Sequence, residues 1–204
     1  VKPAKGNTKQ HPPEQIDEDV CRRLAAARCT RVTMGIEHGN EKYRAEVLQR
    51  RMTNESIVNA FALCRKHGFK TKAHILVGMP GETPELHEDS VKIIETIQPD
   101  SFNLHIYEPY TGTHMGDIAF KEGLVDPELE KKSFVGQTDT TLKMPQFTPR
   151  QIRSAFHRFG YRVYRKQSLS KAIVYRVYYS SYGETLIRLL QPIKRFIRKF
   201  AMGV

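Results

Sequence analysis

The segment GIEHGNE, residues 35–41, places a carboxylate and an imidazole side by side at Glu37 and His38. It follows a short run of β-branched residues, so both side chains are expected at the tip of a strand. In that position they can bind the hydroxyls of a ribose or transfer protons. The alternative is that Glu37 only accepts hydrogen bonds from the amides of its own loop, and the spacing alone favours neither interpretation.

Two further segments combine glycine, proline and polar residues directly after a predicted strand. GMPGET, residues 78–83, could bring its backbone close to a ligand and direct the amides of the following helix at it. The same residues are equally usual in an ordinary strand-to-helix turn. YEPYTGT, residues 107–113, has two tyrosines around a proline, which could form an apolar wall for a flat ring. Its alternative is again a turn, with the tyrosines packed at the rim of the fold.

Alternating strands and helices are predicted to position these segments. The predicted strands cover residues 31–36, 70–77 and 101–107. The helices that follow begin after threonines that can cap them, which are Thr53, Thr83, Thr113 and, farther along, Thr148. An earlier helix is predicted over residues 13–28, and two more are predicted beyond Ser168, separated near residues 182–183.

This alternation indicates a parallel sheet with right-handed crossovers. Three strand–helix units do not complete an eight-stranded barrel, so the sheet is either small and open or the later part of a barrel. The chain is predicted to divide into a strand–helix region over residues 1–125, a polar connecting loop over 126–147, and a basic helical region over 148–204.

In this order, the segments GIEHGNE, QRRMT, HILVGMPGET and IYEPYTGT resemble the radical S-adenosylmethionine (radical SAM) superfamily, over roughly residues 16–125. The branch that also carries a cobalamin-binding domain is the most similar, with segments such as GIESGNE, GLPGET and YPYPGT. The resemblance implies an α/β fold that forms the C-terminal part of a partial (β/α)6 barrel, followed by the basic helical tail.

The resemblance also implies which residues contact S-adenosylmethionine. They are Glu37, His38, Arg50, Gly78, Met79, Pro80, Tyr107 and Pro109. Glu37 is expected to bind the ribose, and Arg50 to bind the methionyl carboxylate through its forked guanidinium. Residues 78–80 would lie beside the adenine and ribose, and the third segment would close the adenine site. His38 stands where the family usually has serine, which leaves its role open.

The three-cysteine signature of the family, CxxxCxxC, does not occur in this sequence. Those thiolates hold a 4Fe–4S cluster, whereas Cys21, Cys29 and Cys64 lack a metal-ligand spacing and are predicted to be buried as small apolar residues. Because the sequence begins with valine, we expect a C-terminal fragment whose cluster ligands lie upstream. Alone, this chain is expected to be inactive.

Positive charge is concentrated in the last quarter of the chain. From Arg150 onward there are thirteen lysines and arginines and one acidic residue, whereas the preceding residues are nearly neutral. Residues 186–200 place an apolar stripe opposite cations, as in a helix that lies on an anionic membrane. Nucleic acid is the less favoured partner because the aromatic residues fall on that stripe, and packing against a missing N-terminal half of the enzyme is equally open. No signal peptide or membrane-crossing run occurs, so a cytoplasmic location, at most peripheral to the membrane, is expected.

The leading hypothesis is the S-adenosylmethionine-binding portion of a radical SAM enzyme that acts on an unidentified small molecule by radical-based methyl transfer or rearrangement. Its expected cofactors are S-adenosylmethionine, a 4Fe–4S cluster and cobalamin. One alternative is a radical SAM methylthiotransferase that acts on RNA, although that group usually ends in a β-rich domain. The other is a non-enzymatic basic module that binds nucleic acid or a membrane surface, which does not explain the three segments.

Overall fold

A computed structural model describes residues 7–126, 139–178 and 180, and its centre is a parallel sheet of four strands in the order β1-β2-β3-β4. The strands are β1 (Asn7–Gln10), β2 (Cys29–Glu37), β3 (Lys70–Val77) and β4 (Ser101–Ile106). Each neighbouring pair is parallel. The predicted α/β class is therefore confirmed.

Helices connect the strands and continue after the last one. They are α1 (Glu18–Ala26), α2 (Glu41–Glu46), α3 (Asn54–Lys66), α4 (Pro84–Ile97), α5 (His114–Lys121), α6 (Pro149–Tyr164) and α7 (Leu169–Tyr178). Each of the four threonines predicted as N-caps accepts a hydrogen bond from a backbone N–H of the helix it precedes. Local capping chemistry thus sets where α3, α4, α5 and α6 begin.

The N-terminal region differs from the prediction in two ways. The helix predicted over residues 13–28 is split into a 3₁₀ turn, Pro13–Gln15, and α1, because Asp17 leaves the helical conformation and caps α1 by accepting from Val20 N. A fourth strand, β1, also precedes it and pairs with β2. Its sequence, NTKQ, has no apolar alternation, so the hydrophobic pattern gave no signal for it.

The two faces of the sheet have different chemistry. On one face Ala73, Ile75 and Val77 of β3 are 0% exposed beneath the helices. On the other face, which we call the polar face, the register places Gly35 of β2 beside His74 of β3. The polar face comprises Thr33, Gly35, Lys72, His74, Leu76, Ser101, Asn103 and His105.

The C-terminal helices pack on the same core as the sheet. Phe102 of β4 contacts the rings of Phe159, Tyr164 and Tyr175, from α6 and α7. The described end of the predicted polar loop also contributes to this core, because Leu142, Met144 and Phe147 are 0–1% exposed. Irregular segments have no repeat, so these buried positions could not be recognised from periodicity.

Two features of the sequence remain outside this description. The predicted amphipathic helix over residues 186–200 lies beyond the described residues, and the predicted division of the chain into three regions stays a prediction. Within the part of the chain that the structure describes, no helix is long and apolar enough to cross a membrane.

Candidate active site at the carboxyl ends of the strands

The three predicted segments meet at one edge of the sheet. Glu37 ends β2, Gly78 follows β3, and Tyr107 follows β4, so all three lie at the carboxyl ends of neighbouring parallel strands. The amide of Tyr107 donates to Val77 O at 2.8 Å, which extends the ladder one residue past β4. Ligands of open parallel sheets and of barrels bind at this edge.

Glu37 has an unusual backbone that aims its side chain. The pairing of β2 with β3 shifts register between Gly35 and Glu37, and Glu37 has a φ of 66°. A left-handed conformation is costly for a residue with a side chain and concentrates at functional positions. The carboxylate folds over Gly35 so closely that a Cβ atom there would collide with Glu37 Oε1. Glycine at position 35 therefore makes room for the carboxylate on the polar face.

Arg50 reaches this carboxylate from the segment that follows α2. Its Nη1 donates to Glu37 Oε1 at 2.8 Å, with 31% of the arginine and 25% of the glutamate side chain exposed. Burial raises the pKa of Glu37, and the adjacent guanidinium opposes that rise. The two residues expected to bind different groups of one ligand thus bind each other, and both stay partly accessible.

His38, next to Glu37, lies under the loop and not at its surface. The ring is 0% exposed; its Nδ1 accepts from Asn40 N at 3.0 Å, and its Nε2 lies 3.2 Å from Glu82 Oε1. Since Nδ1 acts as an acceptor, the proton is on Nε2, which donates to the carboxylate. Both ring nitrogens of His38 are therefore used within the protein, and its contact with a ligand stays a prediction.

Glu82 organises the GMPGET turn from inside. Its side chain is 0% exposed, and Oε2 accepts from Gly78 N at 2.5 Å and from Met79 N at 3.1 Å. His87 Nδ1 lies 3.3 Å from Oε1, although not in hydrogen-bond geometry. Burial alone would favour the neutral acid, but His38 and His87 outweigh it and lower the pKa of Glu82 to about 2. The amides of this turn are thus occupied by a buried carboxylate.

The residues predicted in the second segment have specific packing roles. Gly78, with a φ of 81°, lies against α6, and a Cβ atom there would be 2.9 Å from Ile152 Cγ2. Met79 is 1% exposed, and Pro80 O accepts from Tyr43 Oη at 2.6 Å. The turn is therefore fixed from both sides, and the close approach that requires glycine at position 78 is made by Ile152.

Arg44, on α2, ties together the segments that carry Glu37 and Arg50. It is 0% exposed, and its guanidinium donates to His38 O at 2.6 Å, to Met52 O at 3.1 Å and to Asn54 Oδ1 at 2.7 Å. A buried guanidinium with several acceptors holds these segments in one arrangement.

Tyr107 places a buried hydroxyl at this edge of the sheet. It is 9% exposed, and its hydroxyl has no hydrogen-bond partner in the described residues. Burial raises the pKa of Tyr107 to about 12, with Thr113 near enough to oppose the rise. Pro109, two residues farther on, is partly exposed on the same loop. A buried hydroxyl without a partner is costly, and a ligand at this edge could satisfy it.

Comparison with known proteins shows which family the residues that form this edge resemble. A sequence profile of the radical SAM superfamily matches residues 3–94, which include β1, β2 and β3 and the first two segments. These residues belong to the radical SAM superfamily. The superfamily is one of enzymes that use S-adenosylmethionine and a 4Fe–4S cluster.

The curated proteins that this chain resembles are distant and much longer. An uncharacterized methyltransferase of Pyrococcus horikoshii is 25% identical over 137 residues, which are 67% of this chain and 29% of the relative. A tRNA-2-methylthio-N(6)-dimethylallyladenosine synthase of Sulfurihydrogenibium is 27% identical over 59% of this chain and 28% of the relative. The chain thus spans less than a third of the length of these relatives.

Solved radical SAM structures share the fold. Coproporphyrinogen III oxidase from Escherichia coli aligns with a TM-score of 0.54 at 21% identity, over 73% of this chain and 30% of that one. A radical SAM methyltransferase from Kitasatospora setae, with tryptophan and an S-adenosylmethionine analogue bound, aligns with a TM-score of 0.52 at 26% identity, over 56% of this chain and 22% of that one. The predicted partial barrel is confirmed, while the branch of the superfamily is not resolved.

The cysteines of this chain do not suit an iron–sulfur cluster. Cys21, Cys29 and Cys64 are all buried, and burial, together with Cys21, raises the pKa of the Cys64 thiol to about 12. Cluster ligands must be thiolates, which such an environment disfavours. Residues 7–126, 139–178 and 180 contain no group of three or more ligands arranged for a metal ion.

The radical SAM segments contain three supporting residues that sequence reasoning missed, namely Tyr43, Arg44 and Glu82. Arg44 lies in a helix of six residues with charged neighbours, so its burial had no signal. Glu82 did have one, because a carboxylate four residues after Gly78 can reach back to the amides of the turn.

Proposed function

We propose that this chain supplies the S-adenosylmethionine-binding edge of a radical SAM enzyme. The observation that carries the proposal is Glu37, which is held in a left-handed conformation at the carboxyl end of β2 with its carboxylate turned toward Arg50. Backbone strain at a charged, partly exposed residue is typical of a ligand-binding position.

The accessible atoms suit the parts of S-adenosylmethionine. Glu37 would accept hydrogen bonds from the ribose hydroxyls, and Arg50 would direct the N–H groups not used by Glu37 at the methionyl carboxylate. The buried hydroxyl of Tyr107 would donate to the adenine, and Pro109 would cover the adenine ring. Residues 78–80 would form the floor, fixed from below by Glu82. Once bound together with the cluster, S-adenosylmethionine would supply radical chemistry or a methyl group.

For the reaction, we propose methyl transfer or rearrangement of the cobalamin-dependent type. The motif order GIEHGNE, GMPGET and YEPYTGT supports this branch, as does similarity to methyltransferases from Pyrococcus horikoshii and Kitasatospora setae. The cluster ligands and a cobalamin domain would belong to other parts of the enzyme, and the substrate would be a small molecule.

A methylthiotransferase that acts on tRNA is the second candidate. Three tRNA-2-methylthio-N(6)-dimethylallyladenosine synthases are 26–28% identical to this chain over 50–62% of its length. The two candidates share the cosubstrate edge and differ in substrate, so a tRNA substrate would decide between them.

Binding of S-adenosylmethionine by variants of the whole enzyme tests the proposal. Glu37→Gln keeps the size of the side chain and removes its charge, and we expect binding to weaken by about 1.5–3 kcal/mol, as for a charge-assisted hydrogen bond. Glu46→Gln is the matched control, because Glu46 is exposed at the end of α2. If both variants bound the cosubstrate as tightly as the unmodified enzyme, the proposal would be wrong.

A further inference from the structure

The polar face is unusual for a parallel sheet. Such sheets are covered on both faces, and their strands are rich in apolar branched residues. Here Lys72, His74, Asn103 and His105 replace those residues and are partly exposed, while the opposite face of β3 is completely buried. Polar side chains on a face that ordinarily carries apolar ones indicate a binding surface.

Three of these side chains form a basic cluster, which consists of Lys72, His74 and His105. The two imidazole rings are stacked, with centroids 6.3 Å apart and planes 14° from parallel. Lys72 lies two residues before His74 on the same face. Burial lowers the pKa of both imidazoles, and the charge of Lys72 lowers it further, so they favour the neutral form in which each has one N–H to donate.

The basic cluster has no counter-charge in the described part of the chain. Lys66, Lys70 and Lys92, on the outside of the fold, each form an ion pair with a carboxylate. Among the described residues, Lys72 forms no ion pair with a carboxylate. Burial and the charge of Arg31 lower the pKa of Lys72. A partly buried cation beside another cation is stabilised when an anion arrives.

The cluster is adjacent to the proposed cosubstrate edge. Gly35 pairs with His74 in the sheet, and the Glu37 carboxylate lies over Gly35. Neighbouring strands are about 4.8 Å apart, so a molecule on the cluster would be one side-chain layer from the ligand of Glu37.

We infer that the basic cluster binds the substrate of the enzyme through an anionic group, a carboxylate or a phosphate, with Lys72 supplying the charge and His74 and His105 donating hydrogen bonds. This inference rests on the proposed function for its orientation, since the anionic group would anchor the substrate below the cosubstrate. The class of substrate is therefore a small anion-bearing molecule.

Histidine NMR spectra of the full chain test the inference without S-adenosylmethionine. Inorganic phosphate is titrated in one arm and succinate in the other, at constant ionic strength with chloride. The imidazole signals of His74 and His105 should shift saturably with at least one anion, and the responding arm identifies the anionic group. His67, which pairs with Glu18 on the surface, is the internal reference and should show no saturable shift.

Lys72→Met should weaken this binding at least tenfold, and Lys92→Met, which removes an outside lysine paired with Asp89, should leave it unchanged. Lys72→Gln serves if the methionine variant does not fold. Absence of saturable shifts, or unchanged binding in the folded Lys72 variant, would overturn the inference.

Binding of S-adenosylmethionine is measured separately. If the protein binds the cosubstrate but neither anion, the proposed function stands and only this inference is wrong. If the protein binds an anion but not the cosubstrate, only the proposed function is wrong.

Discussion

Arg50 donates a hydrogen bond to Glu37 at 2.8 Å, and this pair joins the end of β2 to the segment that leads into α3. The resemblance to the radical SAM superfamily implied separate tasks for the two residues, one at the ribose and one at the methionyl carboxylate of S-adenosylmethionine. Their pairing means that each can orient the other before the cosubstrate arrives, which reduces the ordering needed on binding.

Arg50→Ala should weaken S-adenosylmethionine binding by the whole enzyme by about 1.5–3 kcal/mol, because it removes a charge-assisted donor and releases Glu37. Arg50→Lys should recover little of the loss, since an ammonium cannot reproduce the paired N–H donors of a planar guanidinium. Titration calorimetry measures both, with the exposed neighbour Arg51→Ala as the control. If all three variants bound S-adenosylmethionine as tightly as the unmodified enzyme, Arg50 would have a purely structural role.

Glu82→Gln should lower the free energy of unfolding of the chain by about 3 kcal/mol, the scale for breaking a buried charged network. The amide cannot accept from two backbone N–H groups and from His38 as a carboxylate does. Urea unfolding at neutral pH measures the change. The control is Glu85→Gln, on the exposed first turn of α4 just after this turn, which should differ from the unmodified chain by at most about 0.5 kcal/mol. A loss as small for Glu82 as for Glu85 would contradict the role given to this carboxylate.

The stabilising effect of Glu82 should also depend on pH. Its pKa is about 2 in the folded chain and about 4.3 in an unfolded one. A depressed folded-state pKa gives stability that is complete above the unfolded value and is lost as the pH falls toward the folded one. The difference in unfolding free energy between the unmodified chain and Glu82→Gln should therefore be constant above about pH 5 and shrink below about pH 4.3. Shrinkage that begins above pH 5 would mean that burial dominates and raises the pKa.

Gly39→Ala should destabilise the chain far more than Gly68→Ala. A Cβ atom at Gly39 would collide with the backbone of Asp89 in α4, and neither backbone can move without breaking the loop or the helix. Gly68 has a φ of 77° but open space around it, so alanine there should cost only about 1–2 kcal/mol of left-handed strain. Thermal unfolding of the two variants provides the comparison, and equal losses would refute the close packing of the first segment on α4.

The three cysteines should fail to assemble a cluster. Anaerobic reconstitution of this chain with iron and sulfide should give no 4Fe–4S absorbance, because Cys21, Cys29 and Cys64 are buried on α1, β2 and α3. A cluster in stoichiometric amount that disappears in Cys64→Ala would show that the core rearranges to provide thiolates.

Much of the fold follows from local chemistry that the sequence displays. Thr53, Thr83 and Thr148 mark helix starts because each side chain can satisfy a backbone N–H that has no partner within the helix, and the bounds of β3 match the predicted strand. The polar strand β1 could not be predicted, since its pairing with β2 depends on backbone hydrogen bonds that any sequence can make.

The candidate site was predictable in position but not in its internal contacts. The strand ends locate Glu37, Gly78 and Tyr107 at one edge because parallel strands share a direction. The burial of His38 and its hydrogen bond to Glu82 bring together residues 44 positions apart. Such a contact depends on the packing of α4 against the first segment, which no local pattern encodes.

Amide hydrogen exchange of the whole enzyme with and without S-adenosylmethionine tests the central claim most directly. We predict protection in residues 35–40, 78–83 and 107–113, which form the carboxyl edge, and none in residues 67–70 and 98–100, which lie at the opposite edge. Protection at the opposite edge, or an unchanged pattern at saturating S-adenosylmethionine, would contradict the assignment of this edge as the cosubstrate site.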